Sequence, residues 1–398
     1  MNILVINAGS SSLKYQLIRM EDETILCKGV CERIGIDGKY SYKAMNGYKV
    51  EKEADLFTHK DAFDVILHEM VQGEGHVIDS VNEIAAIGHR VTHGGDKFSH
   101  SVLVDEATID AIANMRDISP LHNPPQAATI RACRTVFGEA LPMAAVFDTA
   151  FHATMPPKAY TFAIPYKYYE EHGVRRYGFH GTSHRYVSGR MAELLGEMPH
   201  RLITCHLGNG SSLAAIKDGK VVDTSMGFTP LDGIIMGTRC GSIDPAIMPF
   251  LMDKTGMTAK EMDTYMNKKS GMLGISGISS DFRDLGAAAE KGDERAKLAL
   301  DMFVYAVKKY IGSYAAALNG ADAIVFTAGV GENDREVRRD ILKDMEYMGI
   351  VADFDYNMTC PRGEEVCISK PESKVKIFVI PTDEEMTIAR DTARLVTK

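Results

Sequence analysis

Short apolar runs alternate with glycine- and serine-rich turns along this chain, and two of the resulting units are variations on one pattern. Ile3-Leu-Val-Ile-Asn7-Ala-Gly9-Ser-Ser-Ser12-Leu13-Lys14 and Leu202-Ile-Thr-Cys-His206-Leu-Gly208-Asn-Gly210-Ser-Ser212-Leu213 each read as a buried strand, a tight turn and a second strand. They stand about half the chain apart, so the sequence reads as duplicated. After the first hairpin come two shorter strand candidates with polar turns, Gly35 to Lys39 and Asn46 to Gly47. Ile84 to Ile87 is a short apolar strand running into Gly88-His89-Arg90-Val-Thr-His93-Gly-Gly95. Pro124-Pro125 predicts a helix start and Gly138 its stop, and the strand Met143 to Phe147 ends on Asp148.

The second half repeats this order. A hairpin over 202–216 is followed by a long amphipathic helix from about Glu294 to Leu318, carrying Leu298, Met302, Tyr305, Val307, Tyr310 and Ile311 and stopping at Asn319-Gly320. The strand Ala323 to Phe326 opens into a glycine loop, Thr327-Ala-Gly329-Val-Gly331-Glu-Asn333. The strand Val375 to Ile380 precedes Thr382-Asp-Glu384-Glu385, which has the form of a capping box. Each half thus runs hairpin loop, glycine loop, then a strand ending in acid. Two copies of one α/β unit are expected, with the seam near residue 150 and the last helix crossing back to the first copy.

Bulk properties narrow the class. At 398 residues the chain is long for one core, and its 45% hydrophobic and 25% charged residues are ordinary globular values. A net charge of −9 repels nucleic acid and anionic membranes, so neither is an expected partner. No apolar run approaches the ~20 residues that span a bilayer, and the N-terminus enters a strand without signal-peptide features. A cytoplasmic protein is the expectation. The cysteines Cys27, Cys31, Cys133, Cys205, Cys240, Cys360 and Cys367 show neither disulfide nor zinc spacing and read as small core hydrophobes.

Ala8-Gly9-Ser-Ser-Ser12 and Gly208-Asn-Gly210-Ser211-Ser212 can bring backbone N–H groups and hydroxyls to a phosphate, because glycine adds no Cβ. One such loop alone reads equally as a hairpin turn; two copies plus Gly329-Val-Gly331-Glu-Asn333 favour phosphate binding. None is a Gly-x-x-x-x-Gly-Lys-Ser/Thr loop, and the protein-kinase signature is missing. Asp148 and Glu384 lie at or just past strand ends, where open α/β sheets place ligand-binding residues. With the amide of Asn7 they suit Mg²⁺, although a first-turn Glu384 would also complement a helix dipole.

Arg90 and Arg239 both sit among glycines, where a guanidinium has little packing purpose and can follow charge on a carboxylate or phosphoryl group. His89, His93, His122, His180, His184 and His206 cluster near these loops. His180-Gly-Thr-Ser-His184 has zinc-like spacing but lacks a metalloprotease glutamate; Gly181 and Thr182 instead suggest a helix start, with His180 just before it.

Asn7 to Lys14, Gly88-His-Arg90-Val-Thr-His-Gly-Gly95, Leu121-His-Asn-Pro-Pro125, Phe147-Asp148-Thr149, Tyr177-Gly-Phe-His180-Gly-Thr-Ser-His184, His206-Leu-Gly-Asn-Gly210, Met236-Gly-Thr-Arg239, Gly329-Val-Gly-Glu-Asn333 and Thr382-Asp-Glu-Glu385 together resemble the acetate kinase family, in order along essentially the whole chain. The resemblance implies an α/β fold of two duplicated actin/Hsp70/sugar-kinase-like (ribonuclease H-like) domains with a central cleft. It implies residues 1–150 as the N-terminal acetokinase domain, a C-terminal helix of about 384–398 packing back on it, and residues 151–383 as the nucleotide-binding domain. The implied reaction is reversible phosphoryl transfer between ATP and acetate, giving ADP and acetyl phosphate, with Mg²⁺ or Mn²⁺.

By the same resemblance Arg90 holds the acetate carboxylate, His180 and Arg239 stabilise the phosphoryl group in flight, and Asp148 positions or exchanges protons. Acetate is already an anion at neutral pH, which favours positioning. Asn7 and Glu384 would bind the metal. Lys14, His206, Leu207, Gly208, Asn209, Gly210, Asp281, Phe282, Arg283, Gly329, Val330, Gly331, Glu332 and Asn333 would surround ATP. Transfer is expected to be direct and in line, and domain closure to exclude water.

Thr92, Leu121, Phe179 and Pro230 would line the acyl pocket, and Thr92 stands where the family more often has Val. Acetate is expected to be preferred to propionate, with butyrate poor, since one methylene is worth only ~1–3 kcal/mol in such pockets. The family further implies a homodimer formed through the C-terminal domain. A propionate or butyrate kinase is the close alternative, and a non-catalytic actin-like ATP-binding protein the distant one.

Overall fold

The computed structural model describes residues 1–397, and two compact units divide them: Met1–Phe151 with the chain's C-terminal segment from Asp383, and His152–Thr382. The first unit contains β1 (Asn2–Ala8), β2 (Ser12–Arg19), β3 (Thr24–Glu32), β4 (Lys39–Ala44), β5 (Lys49–Glu53), β6 (Ile84–Val91), β7 (Val102–Leu103) and β8 (Met143–Phe147). The second contains β9 (Arg201–Leu207), β10 (Ser211–Lys217), β11 (Lys220–Thr224), β12 (Ala323–Thr327), β13 (Val366–Cys367) and β14 (Lys376–Val379). Strand order is β5-β4-β3-β2-β1-β6-β8-β7 in one sheet and β11-β10-β9-β12-β14-β13 in the other.

Laid side by side, the two orders share a six-strand core. β3-β2-β1 and β11-β10-β9 are antiparallel meanders, β6-β8 and β12-β14 continue in parallel from β1 and β9, and β7 and β13 close the far edge antiparallel. The first unit adds β4 and β5 at its meander edge. This is the duplication that the two hairpins predict. Two central strands, Met143–Phe147 and Ala323–Thr327, are wholly buried, as strands covered on both faces must be.

Several elements differ from expectation. Gly35 to Lys39 and Asn46 to Gly47 are mostly turns, and the strands lie on either side of them. These strands alternate buried Tyr40, Tyr42 and Ala44 with outward polar residues, a pattern diluted by the lysines. The glycine loop after β12 is the short helix Ala328–Asn333, whose first residue has φ +64°. The final helix Glu384–Val396 is capped by Asp383, whose carboxylate accepts from the Met386 N–H at 2.8 Å; the Thr382 hydroxyl donates instead to Ser183 Oγ at 2.8 Å.

The long helix Glu294–Leu318 has its expected limits, ending on left-handed Asn319. Its buried face, however, is Ala299, Phe303, Val307, Ile311 and Tyr314, while Leu298, Met302 and Tyr305 are exposed. Five cysteines are buried, but Cys240 is half-buried and Cys367 exposed, so the core reading fails for those two. Cys367 lies on a two-residue edge strand with one face to solvent. No helix among the described residues is long and apolar enough to cross a membrane.

His89 on β6 is buried, its Nε2 makes no hydrogen bond among the described residues, and burial pushes its pKa down from 6.5 to about 3. Above pH 6.5 both folded and unfolded chains hold this imidazole neutral. Below it only the unfolded chain takes up the proton, so stability declines as pH falls from 6.5 toward 3. The contribution is about 2 kcal/mol lost by pH 5. Urea midpoints at pH 7 and pH 5 should show this slope, and His89→Gln should flatten it.

Candidate functional site

In the first unit the carboxyl ends of neighbouring strands bring four predicted residues together. Asn7 is near the end of β1, Arg90 near the end of β6, and Asp148 follows β8 directly. Glu384 opens the last helix, which packs on β1, β6 and β8. Arg90 Nε donates to Asp148 Oδ1 at 3.2 Å and Nη2 donates to Oδ2, forming a fork. Nη1 donates to Asn7 Oδ1 at 3.2 Å, and Glu384 Oε2 stands 4.0 Å from Nε. Burial alone would lower the Arg90 pKa, but Asp148 and Glu384 outweigh it and raise the value. Three of the five guanidinium N–H donors are engaged, which leaves two for an incoming carboxylate.

The oxygens of Asn7, Asp148 and Glu384 are all hard donors. Mg²⁺ commonly takes one or two protein carboxylates and completes its shell with water and phosphate oxygens, so this donor set fits it. No group of three His, Cys, Asp or Glu side chains that would cage a metal occurs among the described residues. A site here would therefore be one that is open to substrate oxygens.

Thr92 is buried beyond Arg90. Its N–H donates to Gln126 Oε1 at 3.0 Å, and its hydroxyl accepts from Gln126 Nε2 at 3.1 Å. The hydroxyl that Thr92 has in place of a Val methyl thus accepts from a residue that the sequence did not single out. Leu121 is 65% exposed. Lys14 lies on the outward face of β2, along a groove also lined by Lys28, Lys43 and Glu385.

In the second unit the turn 208–210 between β9 and β10 is the organising feature. Gly208 N–H donates to Ser211 Oγ at 3.0 Å, closing the turn. The Arg239 loop docks on it: Gly237 N–H donates to the Asn209 carbonyl at 3.0 Å, and a Cβ on Gly237 would stand 1.8 Å from Asn209 Oδ1. A side chain there would require the exposed Asn209 amide to swing aside. Arg239 Nη1 reaches the Pro230 carbonyl at 3.2 Å and the Met236 sulfur at 3.7 Å. No carboxylate pairs with it among the described residues, and burial lowers its pKa.

His180 precedes the helix Gly181–Leu195 in the left-handed conformation, φ +57°, a strained setting for a non-glycine residue that costs about 1–3 kcal/mol. The strain aims its ring at the turn. A Cβ placed on Gly210 would lie 3.4 Å from His180 Nε2 and 3.5 Å from Arg239 Nη1, so both groups converge on one point above that glycine. The His206 ring stacks beneath His180 at 4.1 Å, and its Nδ1 meets Ser183 Oγ at 2.7 Å. Both nitrogens of His184 are engaged by hydroxyls, Thr204 at 2.7 Å and Ser212 at 2.8 Å, which argues against a zinc role.

The other predicted nucleotide residues are dispersed in character. Asp281 caps the helix Phe282–Glu290 and pairs with the exposed Arg283 at 2.6 Å. Phe282 is in the core, edge-on to Phe303, so only its backbone is available to a ligand. In the helix Ala328–Asn333, Glu332 accepts from the Ala328 N–H at 2.7 Å and the Thr382 N–H at 3.1 Å, while Asn333 donates to the Gly329 carbonyl at 2.9 Å. Gly331 and Leu207 are buried, and Gly329 and Val330 are more open. Phe179 packs with Met226 and Met236.

Known proteins resemble this chain over its length. A profile described as the acetokinase family matches residues 2–390. An acetate kinase of Methanosarcina thermophila is 57% identical over 399 aligned positions, covering 100% of this chain and 97% of that protein. Among solved structures, acetate kinase of Porphyromonas gingivalis superposes with a TM-score of 0.95 at 46% identity, and a propionate kinase of Francisella tularensis with 0.92 at 42%; each match covers 99% of both chains. The chain belongs to the acetokinase family, and its fold is the duplicated α/β fold expected from the sequence.

Gly237→Ala should displace the exposed Asn209 side chain from the Arg239 loop while the backbone contact remains. The stability cost should be about 1 kcal/mol or less, read as a small fall in the urea midpoint with an unchanged m-value.

Proposed function

We propose that this chain catalyses reversible Mg²⁺-dependent phosphoryl transfer, ATP + acetate giving ADP + acetyl phosphate, by direct in-line displacement. The observation that carries the reading is the contrast between two half-buried arginines, Arg90 and Arg239. Arg90 is paired with Asp148 and surrounded by oxygen donors, whereas Arg239 meets only a carbonyl and a thioether beside His180. A half-buried cation that lacks a carboxylate partner and keeps N–H donors unengaged suits an anionic substrate group.

In this reading the remaining N–H donors of Arg90 take the acetate carboxylate. Asp148 holds the guanidinium in the orientation needed, and its fork with Arg90 favours positioning over proton transfer. Asn7 and Glu384 hold Mg²⁺, which when bound neutralises phosphate charge. Arg239 and His180 follow the charge that spreads over the transferring phosphoryl oxygens. His206 to Gly210, Asp281 to Arg283, Gly329 to Asn333 and Lys14 contact the nucleotide. Thr92, Leu121, Phe179 and Pro230 bound the acyl methyl group.

A cytoplasmic location is supported by the need for ATP and by seven unpaired cysteines. The exposed Leu298, Met302 and Tyr305 on the long helix support a homodimer through the second unit.

The test is incubation of the protein with ATP, Mg²⁺ and acetate, propionate or butyrate, trapping acyl phosphate with hydroxylamine and counting ADP. Acetate should give the highest kcat/KM and butyrate the lowest; equal values for all three would remove the acyl preference, and ADP without acyl product would remove the kinase reading. Arg90→Ala and Arg239→Ala should each lower kcat/KM by about 100-fold or more while nucleotide still binds.

Thr92→Val removes the acceptor for Gln126 Nε2. Stability should drop by about 1 kcal/mol, and the propionate-to-acetate ratio of kcat/KM should change by less than ~10-fold. Thermal melts and acyl-chain competition measure the two effects.

A further inference from the structure

Behind His180 lies a chain of buried polar groups that joins two strands to one helix. Thr204 Oγ1 on β9 is 2.7 Å from His184 Nδ1, His184 Nε2 is 2.8 Å from Ser212 Oγ on β10, and Ser212 Oγ is 2.8 Å from His180 Nδ1. Thr204, His184 and Ser212 are each fully buried. Burial, helped by His152 and His206, pushes the His184 pKa well below its ordinary value, so its ring is neutral and has one N–H and one acceptor nitrogen.

The direction of the chain follows from proton accounting. Thr204 Oγ1 has His184 as its one hydrogen-bond partner among the described residues. If it accepted from His184, its own proton would be buried without an acceptor, which is costly. Thr204 therefore donates to His184 Nδ1, and the His184 proton sits on Nε2 and is donated to Ser212. Ser212 then has one remaining partner for its hydroxyl proton, His180 Nδ1. A proton on His180 Nδ1 would leave the Ser212 hydroxyl without an acceptor. His180 must accept at Nδ1 and carry its proton on Nε2, the atom that faces Gly210 beside Arg239.

We propose that Ser212 is a positioning residue which, backed by His184 and Thr204, fixes His180 as a neutral Nε2–H donor toward the transferring phosphoryl group. This rests on the reading of His180 given above. The relay supplies a donor that needs no proton uptake to act.

The tautomers are read by ¹⁵N-histidine NMR on the full chain, alongside kinetics of acyl phosphate formation. In the wild type, His180 and His184 should both show a pyrrole-like Nε2 and a pyridine-like Nδ1. Ser212→Ala should leave His180 in mixed tautomers and lower kcat by about 10- to 100-fold, less than deleting the donor outright, with KM for ATP and acetate within about twofold. Thr204→Val should disturb the same tautomers from the far end, and Thr204→Ser should restore both spectrum and kcat; this pair decides the matter if Ser212→Ala does not fold. An Nδ1–H on wild-type His180, or an unchanged tautomer and kcat in Ser212→Ala, overturns the relay. If the wild type forms no acetyl phosphate, the proposed function fails, while the NMR result still decides the tautomer.

Discussion

A guanidinium removed from water must be compensated, and the manner of compensation differs between the two units of this chain. Arg90 is compensated internally: Asn7, Asp148 and Glu384 arrive from one strand end, a post-strand turn and the last helix to surround it. That single requirement ties together the order β1-β6-β8 and the return of the C-terminal helix. Arg239 is compensated only by neutral groups and is held against the 208–210 turn by the close approach at Gly237. One unit pairs its cation with carboxylates; the other leaves its cation among neutral groups.

The duplication explains how a single architecture serves both ends. Asn7 and His206 occupy corresponding places near the ends of β1 and β9, and Arg90 and Thr327 near the ends of β6 and β12. The backbone arrangement is shared while the chemistry has diverged, oxygen donors and a paired arginine in one copy, imidazoles and hydroxyls in the other. Fold and function can separate in this way because sheet topology depends on the apolar pattern of the strands, while the side chains just beyond their ends are comparatively unconstrained by packing.

Much of this was legible from residues alone where a local rule governs. Helix ends marked by proline, glycine or asparagine fell at Asn123, Gly138 and Asn319, and the wholly apolar strand Met143–Phe147 was readable as such. The meander strands β3 and β4 were obscured because their outward positions carry lysine and serine. The Asp383 cap was missed because Asp383 and Thr382 are both good caps, and only the Ser183 partner shows that Thr382 is otherwise engaged. Arg90, Asp148, Asn7 and Glu384 were individually visible as loop and strand-end residues. Ser212 was visible only as a member of the glycine-serine turn, and Thr204 and Gln126 not at all, because a small polar residue inside a strand or helix announces nothing until its partner from another element is known.

The return of the final helix has a consequence for biosynthesis. Residues 152–382 form a unit from one continuous stretch, whereas the first unit needs a segment that begins only at Asp383. A Cβ on Gly88 would lie 2.4 Å from Thr392 Oγ1, so the helix is seated directly on the sheet, and Met386, Ile388 and Ala389 are buried there. On the ribosome, the amino-terminal sheet must therefore wait with its helix-binding face uncovered while the whole second unit is translated, a delay of roughly tens of seconds. Glu384 is delivered with that helix, so it joins Asn7, Arg90 and Asp148 only after the whole second unit has been translated.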